Sequence, residues 1–197
     1  MFGPDIRIST VNPLKDLTYS QIDGLFSFSH RLHTDERGSF RKIFSAATFK
    51  SNEITSKLSQ VNISLTVESG TVRGMHYQVS PHAESKLVTC TKGKVFDVVL
   101  DVRQGSPTFL HHEIYHLEEY NSVTIHIPPG CAHGYQVIDG PAQLVYLHSE
   151  EYVIESERGL HVQDPILNIT WPLPIRNMSK RDTSHKYLNT DFRGIQI

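Results

Sequence analysis

The stretch VNISLTV, residues 61–67, alternates apolar and polar side chains and is followed by a turn-like Glu-Ser-Gly sequence. Such alternation is typical of a β-strand, because successive side chains of a strand point to opposite faces. The stretch VFDVVLDV, residues 95–102, also alternates, with apolar side chains on one face and Asp97 and Asp101 on the other. These two stretches predict a protein built from strands.

The same pattern recurs along the chain and is interrupted about every 8 to 12 residues by turn residues, as in β-sandwiches and barrels. A short helix is predicted over residues 45–51, and Pro172 and Pro174 predict extended or irregular backbone for the last 25 residues. The chain is therefore predicted to be a single all-β domain over residues 1–197, a double-sheet jelly-roll barrel with short N- and C-terminal extensions. Further strands are predicted from residue 72 and over 86–91, 113–117, 123–127, 134–138 and 142–147, with turns at 92–93, 128–130 and 139–141.

Composition excludes several classes of function. The chain has 197 residues and a formal net charge of -2, so no broad positive field would attract nucleic acid or an anionic membrane. Its longest apolar run is residues 144–147, far below the roughly 18 residues of a membrane span. Cys90 and Cys131 lack the spacing of a disulfide framework or thiolate metal site. We therefore expect a cytoplasmic protein with a small-molecule partner.

Three segments carry polar groups that a strand does not need for folding. Residues 73–78, RGMHYQ, place Gly74, His76 and Gln78 on one face, where a base and an amide could line a cavity. Taken alone, His76 is more simply explained as a hydrogen-bonded core or surface histidine. Residues 127–134, IPPGCAHG, form a rigid turn that leads to a histidine. Residues 179–182, SKRD, are a charged cluster whose simplest explanation is a solvated tail.

Together with their surroundings these segments belong to an ordered set of motifs. The motifs, in order, are DERG (35–38), RGMHYQ (73–78), KLV (86–88), VFDV (95–98), GSPTF (105–109), IPPG (127–130), AHG (132–134), Tyr146, DP (164–165), WP (171–172) and Asp182. In these motifs the chain resembles, over nearly its whole length, the deoxysugar nucleotide 3,5-epimerases of the cupin superfamily. The resemblance implies a jelly-roll dimer in which the N-terminal part of one subunit helps to wall the site of the other.

The resemblance also implies the chemistry. The substrate would be a nucleoside-diphosphate 4-keto-6-deoxyhexose, inverted at C3 and C5 without a metal or cofactor. A C4 ketone acidifies the protons on both neighbouring carbons, so a base, an acid and a group that stabilises the enolate suffice. By resemblance, His76 is the base, Asp182 orients it, and Tyr146 is the acid. Lys86 and His133 would lie near the keto oxygen.

The family pattern assigns the remaining site residues to substrate binding. Two departures from it leave details open. Lys42 stands where many members have a glutamate that contacts the nucleotide, so the base is uncertain, and Glu151 replaces an aromatic residue near the sugar, so the number of inverted carbons is uncertain. The predicted binding residues are Arg37, Arg73 and Arg181 for the diphosphate, Gln60, Asn62, Gln78 and Glu157 for the sugar or nucleotide, and Phe40 and Tyr152 beside the base.

Three alternatives accompany this interpretation. The first is an epimerase of a single centre, or a ketoisomerase, acting on a related sugar nucleotide. The second is a metal-dependent cupin with His76 and His133 as ligands, which Gln78 disfavours because an amide is a poor ligand for transition metals. The third is a non-catalytic sugar-nucleotide-binding cupin, since a fold alone does not prove activity.

Overall fold

The computed structural model describes residues 14–51 and 57–197, and these residues form eleven strands and two short helices. The first 13 residues, which belong to the predicted N-terminal extension, lie outside the described residues, so the single domain over 1–197 stays a prediction. The elements are β1 (Lys15–Tyr19), β2 (Phe26–Ser29), β3 (Leu32–Asp35), β4 (Gly38–Arg41), α1 (Ala46–Ser51), β5 (Gln60–Thr66), β6 (Val72–Gln78), β7 (Lys86–Asp101), β8 (His112–Glu118), β9 (Val123–Ile127), β10 (Cys131–His148), β11 (Glu157–Gly159) and α2 (Lys180–Ser184).

Two long antiparallel strands, β7 and β10, organise the barrel. The first half of β7 pairs with β9 and its second half pairs with β8. The first half of β10 pairs with β6 and its second half with β5. The nine strands outside β3 and β4 are hydrogen-bonded in one continuous sheet. The two long strands fold it into two layers, a first sheet that contains β1, β2, β9 and β5 and a second sheet that contains β8, β6 and β11. This arrangement confirms the predicted double-sheet jelly roll.

The long strands continue through two of the predicted turns. The sequence predicts turns at 92–93 and 139–141, but β7 and β10 run through both positions. The register between them shifts there, so the additional residues form β-bulges that bend both strands. Gly93 has φ +71°, and a Cβ at this position would collide with the carbonyl of Asp139. The turn-forming residues thus bend paired strands instead of ending them.

A further bulge in β6 changes which side chains line the barrel interior. Strict alternation predicts that Arg73 and His76 face opposite sides of β6, yet both line the same cavity. Between Tyr135↔Arg73 and His133↔His76, β6 contains one more residue than β10. Gly74 occupies this bulge with φ +127°, where a Cβ would collide with the backbone of β10. The predicted orientation of Arg73 is therefore wrong because an additional residue rotates it.

The C-terminal segment, residues 160–197, covers the outer face of the second sheet. Alternate apolar residues of β7, among them Phe96 and Val98, pack on this segment rather than inside the barrel. Side chains such as Trp171 and Phe192 contact them from the segment. The segment is mostly irregular, as predicted, but it also contains the five-residue helix α2. Neither helix of the described residues is long and apolar enough to span a membrane.

Candidate active site

A cavity of about 500 Å³ opens between the two sheets, and residues 177–179 and 181–182 of the C-terminal segment border it. β6 and β11 contribute from the second sheet, the second half of β10 and β5 from the first, and α2 from the segment. Twelve of the fourteen predicted site residues line it: Gln60, Asn62, Arg73, His76, Gln78, Lys86, His133, Tyr146, Tyr152, Glu157, Arg181 and Asp182. The fold thus gathers residues that are spread over more than 120 positions of the chain.

His76 and Asp182 form a hydrogen-bonded pair at the cavity wall. His76 Nε2 lies 2.7 Å from Asp182 Oδ1, and the aspartate side chain is only 2% exposed. Burial raises the pKa of Asp182, but the hydrogen bonds from His76, Ser179 and the Gly74 amide outweigh burial and lower it. The group is therefore a carboxylate, which only accepts hydrogen bonds. His76 Nε2 must donate, and the lone pair of the neutral imidazole is on Nδ1.

Local sequence explains how Asp182 reaches this position. Ser179 is the N-cap of α2, and its hydroxyl accepts a hydrogen bond from the Asp182 amide. The helix turns the aspartate side chain inward, against β6. The charged cluster at residues 179–182 is therefore no solvated tail, because its aspartate is buried against the cavity.

A second histidine–carboxylate pair lies deeper in the barrel. His133 Nε2 lies 2.8 Å from Asp97 Oδ2, with side-chain exposures of 5% and 0%. His133 pairs directly with His76 across β10 and β6, so the two imidazoles belong to adjacent strands. Each histidine is hydrogen-bonded to its own carboxylate. This arrangement differs from one in which the two histidines bind the same metal ion.

Tyr146 lies among other aromatic side chains of the cavity. Its ring meets the His133 ring edge-on at 5.9 Å and stacks on the His148 ring at 5.9 Å. Burial raises the pKa of Tyr146 well above its ordinary value, and the nearby Tyr135 hydroxyl and Asp97 carboxylate raise it further. The phenol stays protonated at neutral pH, and a general acid must be protonated.

Lys86 belongs to a buried charge network that the sequence analysis did not anticipate. Its Nζ lies 3.2 Å from Glu84 Oε1, and His148 Nδ1 lies 2.7 Å from Glu84 Oε2. Burial raises the pKa of Glu84, but the His148 hydrogen bond and the Lys86 charge lower it overall. The ionised glutamate fixes the ammonium group at the cavity wall. Strand periodicity could have indicated His148, since it follows Tyr146 by two residues on the same strand face.

The cavity rim carries a cluster of polar and charged groups. Glu157 Oε2 accepts hydrogen bonds from Arg181 Nη1 and the Tyr152 hydroxyl, both at 2.6 Å. The Tyr152 ring is half exposed, and its amide donates to Gln60 Oε1 at 3.0 Å. This rim combines a guanidinium group, which matches a phosphate, with an accessible aromatic face.

Three other predicted binding residues make specific contacts inside the cavity. Arg73 Nε donates to Thr66 Oγ1 at 2.9 Å, and Asn62 Nδ2 lies 3.3 Å from His148 Nε2. The buried Gln78 amide contacts the backbone of three residues, donating to the carbonyls of His82 and Glu151 and accepting from the Val153 amide. Gln78 thus holds the loop that leads to the rim. Glu151 itself is exposed.

Arg37 and Phe40 are not brought to this cavity. Both belong to the β3–β4 hairpin, where Phe40 is 68% exposed and the Arg37 side chain is 83% exposed. Arg37 pairs with Asp35 of the same hairpin, and Lys42 just beyond β4 is exposed as well. Within one chain the hairpin is therefore separate from the other predicted residues.

The described residues also include one group with the donor types of a metal site. Ligand atoms of His76, Asp182 and His185 all lie within 4.8 Å of one another. His133, which the metal-dependent alternative requires as a ligand, does not belong to this group. The sequence analysis did not single out His185, because no pattern linked it to residue 76.

Comparisons with known proteins agree with this geometry. A sequence model of the dTDP-4-dehydrorhamnose 3,5-epimerase family matches residues 19–190. A dTDP-4-dehydrorhamnose 3,5-epimerase of Sinorhizobium fredii is 38% identical over 78% of the chain and 80% of its own length.

Solved structures resemble the whole fold. The dTDP-6-deoxy-D-glucose-3,5-epimerase of Legionella pneumophila, in complex with dTDP-4-keto-L-rhamnose, superimposes with a TM-score of 0.83 and 37% identity over 89% of this chain and 94% of that one. A 3'-monoepimerase of Streptomyces bikiniensis in complex with dTDP-quinovose gives a TM-score of 0.81 and 31% identity over 86% of each chain. Epimerases that invert two carbon centres and epimerases that invert one therefore share this architecture.

Proposed function

The chain belongs to the dTDP-4-dehydrorhamnose 3,5-epimerase family, and we propose that its cavity inverts both C3 and C5 of a dTDP-4-keto-6-deoxyhexose. The protein is an isomerase of nucleoside-diphosphate 4-keto sugars. The hydrogen bond of 2.7 Å between His76 and Asp182, in a cavity that also contains Tyr146, carries the proposal. No redox step is needed, because each inversion removes and returns one proton.

His76 acts as the base in this proposal. The C4 ketone acidifies the hydrogens on C3 and C5, and the Nδ1 lone pair of His76 accepts one of them to give an enolate. The imidazolium that forms is stabilised by the buried Asp182 carboxylate through Nε2. The hydrogen bond from Nε2 to Asp182 thus fixes the tautomer in which Nδ1 carries the lone pair.

Tyr146 returns the proton to the opposite face of the sugar. It is carried by the half of β10 that pairs with β5, whereas His76 lies on β6 in the other sheet. A sugar bound between the sheets would therefore present opposite faces to the two groups. The raised pKa of Tyr146 keeps its proton available until the enolate carbon accepts it.

Lys86 and His133 stabilise the enolate oxygen. Both are buried, and each is fixed by a carboxylate, Glu84 for Lys86 and Asp97 for His133. Donors that are positioned before the reaction stabilise developing charge without reorganisation, which is most effective in a site that excludes water.

The rim binds the nucleoside diphosphate. Arg181 and Arg73 supply guanidinium groups for the phosphate oxygens, and the exposed face of Tyr152 suits stacking against the base. Gln60, Asn62 and Glu157 offer hydrogen-bonding groups between the rim and the interior. The bound dTDP ligands of the solved relatives support thymidine as the nucleoside.

The protein acts as a homodimer in this proposal. β5 is paired only with β10 among the described strands, and its outward face carries an apolar stripe of Val61, Ile63 and Leu65, each more than half exposed. Exposed apolar stripes on edge strands mark interaction surfaces. A second copy seated on β5 could place its β3–β4 hairpin, with Arg37 and Phe40, at this cavity.

The unpaired, buried cysteines are consistent with a reducing compartment, the cytoplasm.

Deuterium incorporation tests the function. The protein is incubated with dTDP-4-keto-6-deoxyglucose in deuterated water while C3 and C5 are followed by NMR. Label at both carbons supports the proposal, and label at C3 alone supports the single-centre alternative that the 31% identical monoepimerase represents. His76→Ala is the control: exchange should disappear while dTDP affinity stays within a few fold. Absence of exchange with every nucleoside-diphosphate 4-keto sugar would identify a binding protein instead.

A further inference from the structure

A histidine outside the proposed mechanism, His185, lies beside the His76–Asp182 pair. It follows α2 directly as the C-cap, three residues after Asp182. Its imidazole packs over Gly159 of β11, where a Cβ would collide with Nε2. Gly159 pairs with His76 in the register of β11 and β6, so a ring that lies over Gly159 lies next to His76. The absence of a side chain at residue 159 therefore admits the second imidazole.

The donor atoms of the three side chains lie close to one another. The rings of His76 and His185 meet edge-on with centroids 6.5 Å apart, and one ligand atom from each of His76, Asp182 and His185 lies within 4.8 Å of the others. His185 Nε2 is buried and has no hydrogen-bond partner among the described residues. A buried polar atom without a partner is unusual, because its desolvation is not compensated.

The chemistry of this set points to a specific class of cation. Two imidazole nitrogens and one carboxylate oxygen are borderline ligands of the type that Zn²⁺ prefers, whereas Mg²⁺ and Ca²⁺ require mainly oxygen ligands. Three protein ligands with one open position also match the usual number in accessible zinc sites.

We propose that His76, Asp182 and His185 form a Zn²⁺ site, and that Zn²⁺ bound there inhibits the epimerase reversibly. The ligand atoms of a tetrahedral zinc site are about 3.3 Å apart at bond lengths of about 2.0 Å. Binding therefore requires the His76 Nε2–Asp182 Oδ1 distance of 2.7 Å to lengthen and ligand atoms that now lie up to 4.8 Å apart to approach one another. The inhibitory part of this inference rests on the proposed role of His76 as the base.

The inhibition follows from the tautomer of His76. Zn²⁺ forms its bond to His76 Nε2 in place of the hydrogen bond to Asp182. The proton that leaves Nε2 moves through solvent to Nδ1, so the imidazole stays neutral overall and no oxidation state changes. Nδ1 then carries a hydrogen instead of the lone pair that accepts the substrate proton. A chelator that removes Zn²⁺ reverses both transfers and restores the base.

Calorimetric titration with ZnCl₂ tests the site without substrate. The chelator-treated full-length protein should bind Zn²⁺ at one dominant site per chain, and His185→Ala should weaken that site about tenfold or more. Gly159→Ala should do the same, because it displaces the ring while keeping the histidine. His111→Ala is the matched control, since His111 faces a carboxylate, Glu113, elsewhere on the surface at 3.7 Å. Equal affinity in the wild type and both site variants would overturn the proposal, provided that circular dichroism shows them folded.

Exchange assays then test the inhibition. ZnCl₂ should suppress deuterium exchange in the wild type at concentrations that match the calorimetric affinity, EDTA should restore it, and MgCl₂ should have no effect. His185→Ala should resist ZnCl₂ about tenfold better than the wild type. Zinc binding without inhibition would contradict the proposal that Zn²⁺ inhibits the epimerase. Because calorimetry needs no turnover, an inactive wild type would refute the proposed function while it leaves the metal site testable.

Discussion

Replacing Asp182 by asparagine should slow proton abstraction strongly while it preserves the fold. The carboxylate is 2% exposed and lies 2.7 Å from His76 Nε2, so the imidazolium formed in the reaction has a buried counter-ion. Losing one partner of a buried ion pair costs about 3–5 kcal/mol. If this cost applies in the transition state, the rate falls about 10²- to 10⁴-fold, at about 1.4 kcal/mol per factor of ten.

The assay is the initial rate of deuterium incorporation at C3 at saturating substrate. The reduction should be in kcat, with KM nearly unchanged, because Asp182 stabilises a charge that exists only after proton transfer. Asp191→Asn makes the same chemical change at an exposed position of the same C-terminal segment and should leave the rate unaltered. A rate for Asp182→Asn within threefold of the wild type would show that His76 does not depend on this carboxylate.

Three further outcomes are expected. Tyr146→Phe should exchange substrate hydrogen with deuterated solvent through His76 but yield little inverted product by NMR; normal inversion would assign the acid to another group. Leu65→Lys, a charge within the apolar stripe of β5, should shift light-scattering mass from dimer to monomer and reduce activity in parallel; an unchanged mass would locate the interface elsewhere. Burial raises the pKa of Asp101, but hydrogen bonds from Arg103 and two hydroxyls bring it down from 3.8 to about 2. The ionised Asp101 therefore stabilises the folded state fully above about pH 4, and this stabilisation is lost as the pH falls through 2. Asp101→Asn should therefore lose about 2 kcal/mol of unfolding free energy at pH 7 and little near pH 2 in urea titrations, whereas an equal loss at both would exclude the charge as the cause.

The local pattern of the sequence determined much of the fold. Alternation at 61–67 and 95–102 predicts strands that the structure contains, and the helix predicted at 45–51 corresponds to α1. These features depend on the period of apolar side chains and on turn residues within a few positions, and both can be read directly from the sequence. The resemblance to the family also predicted the residues of the cavity, because each motif residue occupies a fixed position in the shared architecture.

The tertiary structure decided what these local patterns cannot encode. Alternation at 61–67 does not reveal that the polar face lines the cavity while the apolar face is exposed, because that depends on which sheet and which partner cover the strand. The proximity of Asp182 to His76 depends on a segment that returns across 106 residues. Glu84 and His148 acquire their roles only where β7 and β10 pair, and His185 meets His76 only because Gly159 leaves room for its ring. Period and propensity act along the chain, whereas these contacts arise from how distant segments pack.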